Sequence, residues 1–224
     1  MPPAVLGLLI INLVVFVAGF LLPKVGDQIV YAGALWFPSN ENFGFWQVVS
    51  YMFLHGSPGH IFFNMFALVS FGKILEAQWG VKRFLVFYFL CGVGAALIQT
   101  GINWYEFQSL RESLIAAGLT PTAISELLEQ SRYLPSKPES LTMLEIYASP
   151  MLGASGAIYG VLVAFGVLYP NAKLSLMFIP VPVAAKYFIP VILLLDLFSG
   201  VTGFSLFGAN IAHYAHLGGA AIGF

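Results

Sequence analysis

The residues of this chain that could do covalent chemistry are few, and they fall inside apolar sequence. Gly153-Ala154-Ser155-Gly156 sets a serine between glycines some seven residues into a hydrophobic run. A serine in a membrane helix ordinarily bonds back to the carbonyl one turn earlier. Glycine costs about 1 kcal/mol in a helix interior and lets backbone approach backbone or a ligand, so Gly153 and Gly156 raise this serine to a candidate nucleophile. The pattern is not the nucleophile elbow of soluble hydrolases, because Ala157 takes the last glycine position of G-x-S-x-G and no strand precedes it. His216 is followed by Gly219 and Gly223, which puts the imidazole on a small-residue helix face. That face fits a packing helix with one hydrogen-bonded histidine, or a general base. Ser155 and His216 lie at comparable depth, about 10 to 15 Å below the outer surface at the helical rise, so contact is geometrically possible.

Other polar groups support these two. His60 and Asn64, four residues apart, share a helix face and could both donate to a transient oxyanion. No carboxylate or thiol lies one turn away, so no metal site is expected there. Tyr159, one turn after Ser155, could pack against an imidazole, and His213, one turn before His216, could line the same cavity. His55, Glu76 and Asp196 are expected to be structural: loop anchoring, bundle-end capping, and pairing with a neighbour.

The elements that must position these groups are membrane helices. Of 224 residues 59% are hydrophobic and 8% charged, with a mean hydropathy of +0.87. Soluble domains carry about 25% charged residues, so a water-soluble globule and a disordered chain are both excluded. Nine Lys+Arg against ten Asp+Glu leave a net charge of −1, without the basic footprint that nucleic acid requires. The lone Cys91 has no partner for an internal disulfide. Continuous apolar runs, without the alternation of barrels, predict an all-α polytopic membrane protein with six spans. These run from about Ala4 to Leu22, Trp46 to Leu75, Phe84 to Ile102, Tyr147 to Leu168, Val183 to Phe198 and Phe204 to Phe224. The first lacks a basic n-region and a cleavage site, and reads as a mature span. The last stops without a polar flank, so the native chain is expected to continue or to have been trimmed.

One compositional break runs from Asn103 to Glu145 and holds 9 of the 19 charges. Leucines and isoleucines at helical spacing around Gly118-Leu119-Thr120-Pro121 predict two short amphipathic helices there. Residues 1–224 thus read as a single membrane domain with a charged insertion at about 103–145. Lys73, Lys82, Arg83, Lys173 and Lys186 fall in the second and fourth loops, against Lys24 alone in the first and fifth. Both termini are therefore expected to be cytoplasmic, with the insertion outside.

With these motifs assembled, the chain resembles the rhomboid intramembrane serine proteases. The resemblance covers nearly the whole chain from Ala4. It rests on His60-x-x-x-Asn64, Gly153-x-Ser155-Gly156 with Tyr159, and Ala215-His216-x-x-Gly219-x-x-x-Gly223 on three helices in order, and on Glu76 before Gly80 and Arg83-Phe84-Leu85. It implies a six-helix rhomboid-like bundle and a serine–histidine dyad without a third acid. Ser155 would be the nucleophile and His216 the general base, with Tyr159 stacked on His216 and Gly153, Gly156 and Gly219 supporting the dyad. His60, Asn64 and the Ser155 backbone N–H would form the oxyanion hole. The implied substrates are transmembrane segments of single-pass proteins, cut near the outer membrane face, with no cofactor and no metal. They must unwind before cleavage, since a helix hides its carbonyls. Lateral access would run past helix five, weakened by Pro182 and Pro190, or past the loop before helix six. The compact layout looks bacterial, which implies an inner membrane.

The chain departs from the family in having Trp46-Gln47 where many members have Trp-Arg, and in its longer insertion. A non-catalytic rhomboid-fold protein that binds transmembrane clients is the rival reading, although its usual signature is loss of the serine or histidine. A small transporter would want midplane acids and inverted repeats, and only Asp196 qualifies.

Overall fold

The computed structural model describes residues 1–176, 179–203 and 212–224. In chain order the helices are α1 (Pro3–Leu21), α2 (Pro23–Gly33), α3 (Gln47–Ser50), α4 (Pro58–Ala67), α5 (Lys73–Trp79), α6 (Val81–Ala116), α7 (Pro121–Glu129), α8 (Pro138–Ala148), α9 (Ser155–Leu168), α10 (Ala185–Thr202) and α11 (His213–Gly223). A single π turn, Leu68–Gly72, joins α4 to α5, so that Pro58–Trp79 forms one rod. That rod, α1, α6 and α10 are each long and apolar enough to cross a membrane. The all-α expectation holds, apart from an antiparallel hairpin of β1 (Lys173–Leu176) and β2 (Ile179–Ala184) between α9 and α10.

Several expected boundaries move. The fourth span begins at Ser155 rather than Tyr147: Tyr147 and Ala148 end α8, and 149–154 are irregular. Ser155 is consequently not seven residues into a helix but the first residue of one. At about 21 Å by the helical rise, α9 is too short to cross 30 Å of hydrocarbon. It need not, because nine of its 14 residues are buried by other helices, and irregular backbone is tolerated at membrane depth where protein surrounds it. The second rod starts at Pro58, because Ser57 accepts the N–H of His60 as an N-cap ahead of a proline at the first helical position. Pro182 lies in β2, leaving Pro190 as the proline inside α10. The expected start of the sixth span, from Phe204 to Ile211, lies outside the described residues, as does the loop expected to cap the cavity there.

The insertion is more helical than its composition implies. The third span does not stop at Ile102; α6 is 36 residues long and runs on to Ala116, absorbing the first expected amphipathic helix. The second is α7, capped by Thr120 accepting from Ala123 N–H, and α8 is a third that periodicity did not reveal. Phe107, Leu114, Ile124, Leu128 and Met143 form a core of their own with Phe37 of the first loop. The Phe37 ring lies 4.5 Å from that of Phe107, and Asn40 donates to the carbonyl of Tyr147 at 2.8 Å.

Three polar side chains fix the frame that carries the site. Glu76, 2% exposed, accepts the N–H groups of Ala4 and Val5 at 2.8 Å each, capping the free first turn of α1 with a carboxylate. This is the bundle-end role its position implied. Gln47, fully buried, donates to the carbonyls of Asn42 and Ala32 and accepts from Trp36 N–H. A neutral amide thus ties down the first loop, and no buried charge needs a partner. Gln99 on α6 accepts the N–H of Ala215 at 3.0 Å, joining α6 to the first turn of α11.

Candidate active site

The site forms where α9 and α11 cross. A Cβ on Gly219 would fall on the backbone of Gly156, and one on Gly223 would fall on the backbone of Gly160. Two glycine pairs therefore let the helices meet backbone to backbone, closer than any side chain permits. That crossing brings Ser155 and His216 together, with Ser155 Oγ 2.8 Å from His216 Nε2.

The segment before Ser155 is held independently. Met151 and Leu35 exchange both backbone hydrogen bonds, and Gly153 N–H donates to Tyr51 O at 2.9 Å. Gly153 has φ of +128°, a conformation open to glycine, and turns the chain into the first residue of α9. A Cβ there would also lie 2.7 Å from His60 Nε2 and 3.7 Å from Ser155 Oγ. Glycine is thus required twice at this position, once by the backbone and once by the imidazole packed over it.

As the first residue of α9, Ser155 has a backbone N–H that the helix does not use, at the positive end of the helix dipole. Asn64 is buried, and its side-chain nitrogen has no hydrogen-bond partner among the described residues. An unpaired buried donor costs about 1–3 kcal/mol, so this amide, in the lining of the cavity that reaches His216, is open to an acceptor that arrives later. His60 is backed by the ring of His55, edge-on at 5.0 Å. These three donors can receive an oxyanion on the serine side.

Around His216 the arrangement is denser than expected. Tyr159 stacks on the imidazole, with ring centroids 4.3 Å apart and planes 12° from parallel. Asp196 of α10 meets the ring nitrogen remote from Ser155, with Oδ1 3.2 Å from His216 Nδ1. The same carboxylate accepts from the Tyr159 hydroxyl in a short hydrogen bond and lies 2.6 Å from His213 Nδ1. Asp196 does pair with neighbours, as its isolation in apolar sequence implied, but those neighbours belong to the site. The two-residue arrangement that the resemblance implied therefore has a carboxylate at its far end. The ligand atoms of Asp196, His213 and His216 lie within 4.8 Å of one another, which could also hold a metal ion.

A cavity of about 770 Å³ opens between the Pro58–Trp79 rod and α10. Its walls are Phe63, Phe66 and Phe71 on one side and Phe188, Ile192 and Leu195 on the other, while Asn64, Tyr159, Asp196 and His216 give it a polar end.

The family model of the Rhomboid domain matches residues 42–224. The chain belongs to the rhomboid family. It is 28% identical over 176 residues to "Rhomboid protein 1, mitochondrial" of Saccharomyces cerevisiae, covering 79% of this chain and 39% of the relative. It is 27% identical over 184 residues to "Rhomboid protease AarA" of Providencia stuartii, covering 80% and 53%. A third relative, "Inactive RHOMBOID-like protein 8" of Arabidopsis thaliana, is 27% identical over 112 residues, covering 50% and 32%. The rhomboid chain thus spans about half or less of the length of these relatives. One of them is bacterial and one carries a mitochondrial name, so the expectation of a bacterial inner membrane gains no support from them.

Proposed function

We propose that this chain is an intramembrane serine endopeptidase whose substrates are transmembrane segments of single-pass proteins. The observation that carries the reading is the 2.8 Å approach of Ser155 Oγ to His216 Nε2 beneath the stacked ring of Tyr159. Ser155 Oγ attacks the scissile carbonyl carbon while its proton passes to His216 Nε2. The carbonyl π pair moves onto oxygen, which the N–H of Ser155 and the side chains of Asn64 and His60 stabilise. Collapse breaks the C–N bond as His216 protonates the leaving amine. Water then attacks the acyl-enzyme, giving its proton to His216, and the second collapse returns that proton to Ser155. The sum is amide plus water giving acid and amine, with no cofactor or metal in any step.

The phenylalanine-lined cavity supports a membrane-borne substrate. It runs between two membrane helices and is lined at one end by His216 and Asn64, so an apolar segment could occupy it and present a locally unwound bond. Residues 1–224 would act as a single membrane domain, with both termini on the cytoplasmic side and residues 103–145 on the face where the site opens. The client-binding alternative has one observation in its favour, the relative named inactive. A fluorophosphonate probe separates the two on purified full chain. Labelling that disappears in Ser155→Ala and in His216→Ala is expected, and an unlabelled, folded wild type would move the chain to the client binders.

A further inference from the structure

Asp196 has no part in the chemistry just described, yet it meets the His216 base and the Tyr159 ring stacked on it. It lies in an otherwise apolar stretch of α10, buried, where a charged side chain is costly unless it serves a function. Its three partners come from the two helices that build the site: Tyr159 from α9, and His213 and His216 from α11. His216 is consequently engaged on every side. Ser155 is at Nε2, Asp196 is at Nδ1, and Tyr159 covers the ring face while its own hydroxyl ends on the same carboxylate. The bonds to Tyr159 and His213 would be enough to tie α10 to its neighbours. The third reaches the nitrogen opposite the one that must accept a proton.

We infer that Asp196 is a positioning residue for the His216 base, so that Ser155, His216 and Asp196 work as a connected hydrogen-bonded series rather than as a dyad alone. This rests on the protease reading above. A neutral imidazole accepts the Ser155 proton at Nε2 only when its own proton is on Nδ1. An ionised carboxylate at Nδ1 can only accept, so it selects that tautomer and fixes the ring plane. When the proton moves from Oγ to Nε2, the positive charge develops beside Asp196, and the Nδ1 proton stays on the ring throughout. Asp196 itself neither gains nor loses a proton. It acts through His216 and touches no reacting atom.

The test compares wild type with Asp196→Asn, in the full chain in detergent. The amide keeps the shape but can donate to Nδ1, which favours the wrong tautomer. Expected are a fluorophosphonate labelling rate and a kcat for a transmembrane substrate about 10²-fold lower, with KM unchanged. Formate should restore part of the rate to Asp196→Ala, a rescue that a purely structural side chain would not give. Asp196→Asn that folds and labels within about threefold of wild type overturns the proposal. Wild type that does not label at all defeats the protease reading instead. If Asp196→Asn does not fold, histidine-¹⁵N spectra of the wild type decide. The His216 proton on Nδ1, assigned by its loss in His216→Ala, supports the proposal, and a proton on Nε2 overturns it. Labelling abolished by a chelator and restored by zinc would also overturn it, since Asp196, His213 and His216 would then be metal ligands.

Discussion

Helices α9 and α11 meet with no side chain between their glycines, whereas the Pro58–Trp79 rod and α10 face each other across a cavity lined with phenylalanine. The first pair is close-packed: nine of the 14 residues of α9 are buried. In α10 only Ala185, Ile189, Asp196 and Ser199 are buried among 18. Both regions contribute to one site, but they do different work. On the protease reading Ser155 and His216 must be held to within a fraction of an ångström, and backbone-to-backbone contact leaves little freedom for error. On the proposed reading a membrane-borne substrate would enter sideways, and an exposed helix with an interior proline would resist that least. The contrast makes distinct demands on substitutions in each region.

The most severe way to break the close-packed side is to remove its reactive pair. Ser155→Ala and His216→Ala should each lower cleavage of a reconstituted transmembrane substrate by about 10⁴-fold or more, with melting temperatures close to wild type. Gly219→Val attacks the scaffold instead. Its side chain would occupy the space of the Gly156 backbone, so a loss of more than about 3 kcal/mol of stability is expected, seen as a large drop in melting temperature. Gly7→Ala on α1 is the matched control, because a Cβ there meets nothing within 4 Å. If both glycine variants melt alike, the crossing is not what holds Ser155 against His216.

The close-packed side was also the legible one. Glycines at 156, 219 and 223 are costly in membrane helices unless something needs them, and Gly219 and Gly223 marked the contact face of α11, whereas Gly160, which meets Gly223, was not singled out. Tyr159 on α9, and His60 and Asn64 on the rod, were readable as polar groups at helical spacing. Helix boundaries were less so. Hydrophobicity does not distinguish the irregular residues 149–154 from helix, since Met151, Leu152 and Ala154 are as apolar as a helix interior and Gly153 and Ala154 are buried in protein. The role of Asp196 was not readable at all. Its partners are 17, 20 and 37 residues away, and no local periodicity records a hydrogen bond between helices. An isolated carboxylate in apolar sequence was the only signal, and it pointed to a partner without saying which. The small core joining Phe37 to Phe107 and Met143 was hidden likewise, because it links the first loop to the insertion.

Asn64 sits between the two regions, on the rod but aimed at the dyad's polar cavity. Asn64→Ala should lower kcat by about 10²–10³-fold and leave stability unchanged or higher, since the unpartnered donor is then gone. A loss of stability comparable with the loss of rate would mean that the amide has a structural bond instead. Comparing labelling and cleavage in one preparation sharpens this, because both develop negative charge on an oxygen that the same donors would receive.

On the open side, effects should be smaller and of another kind. Phe188 is half-buried on α10 and faces the cavity from the side opposite Phe63 and Phe66. Phe188→Ala removes wall area that a transmembrane segment would cover, so KM for such a substrate should rise by a few-fold, about 1 kcal/mol of lost apolar contact. Labelling by a small fluorophosphonate should change much less, since the probe reaches Ser155 without filling the groove. The reverse outcome, with labelling impaired and KM unchanged, would mean that Phe188 supports the packing of Asp196 and His216 rather than receiving substrate. The ratio of the two effects, not either alone, tells whether the groove between the rod and α10 is a substrate path or part of the frame around the base.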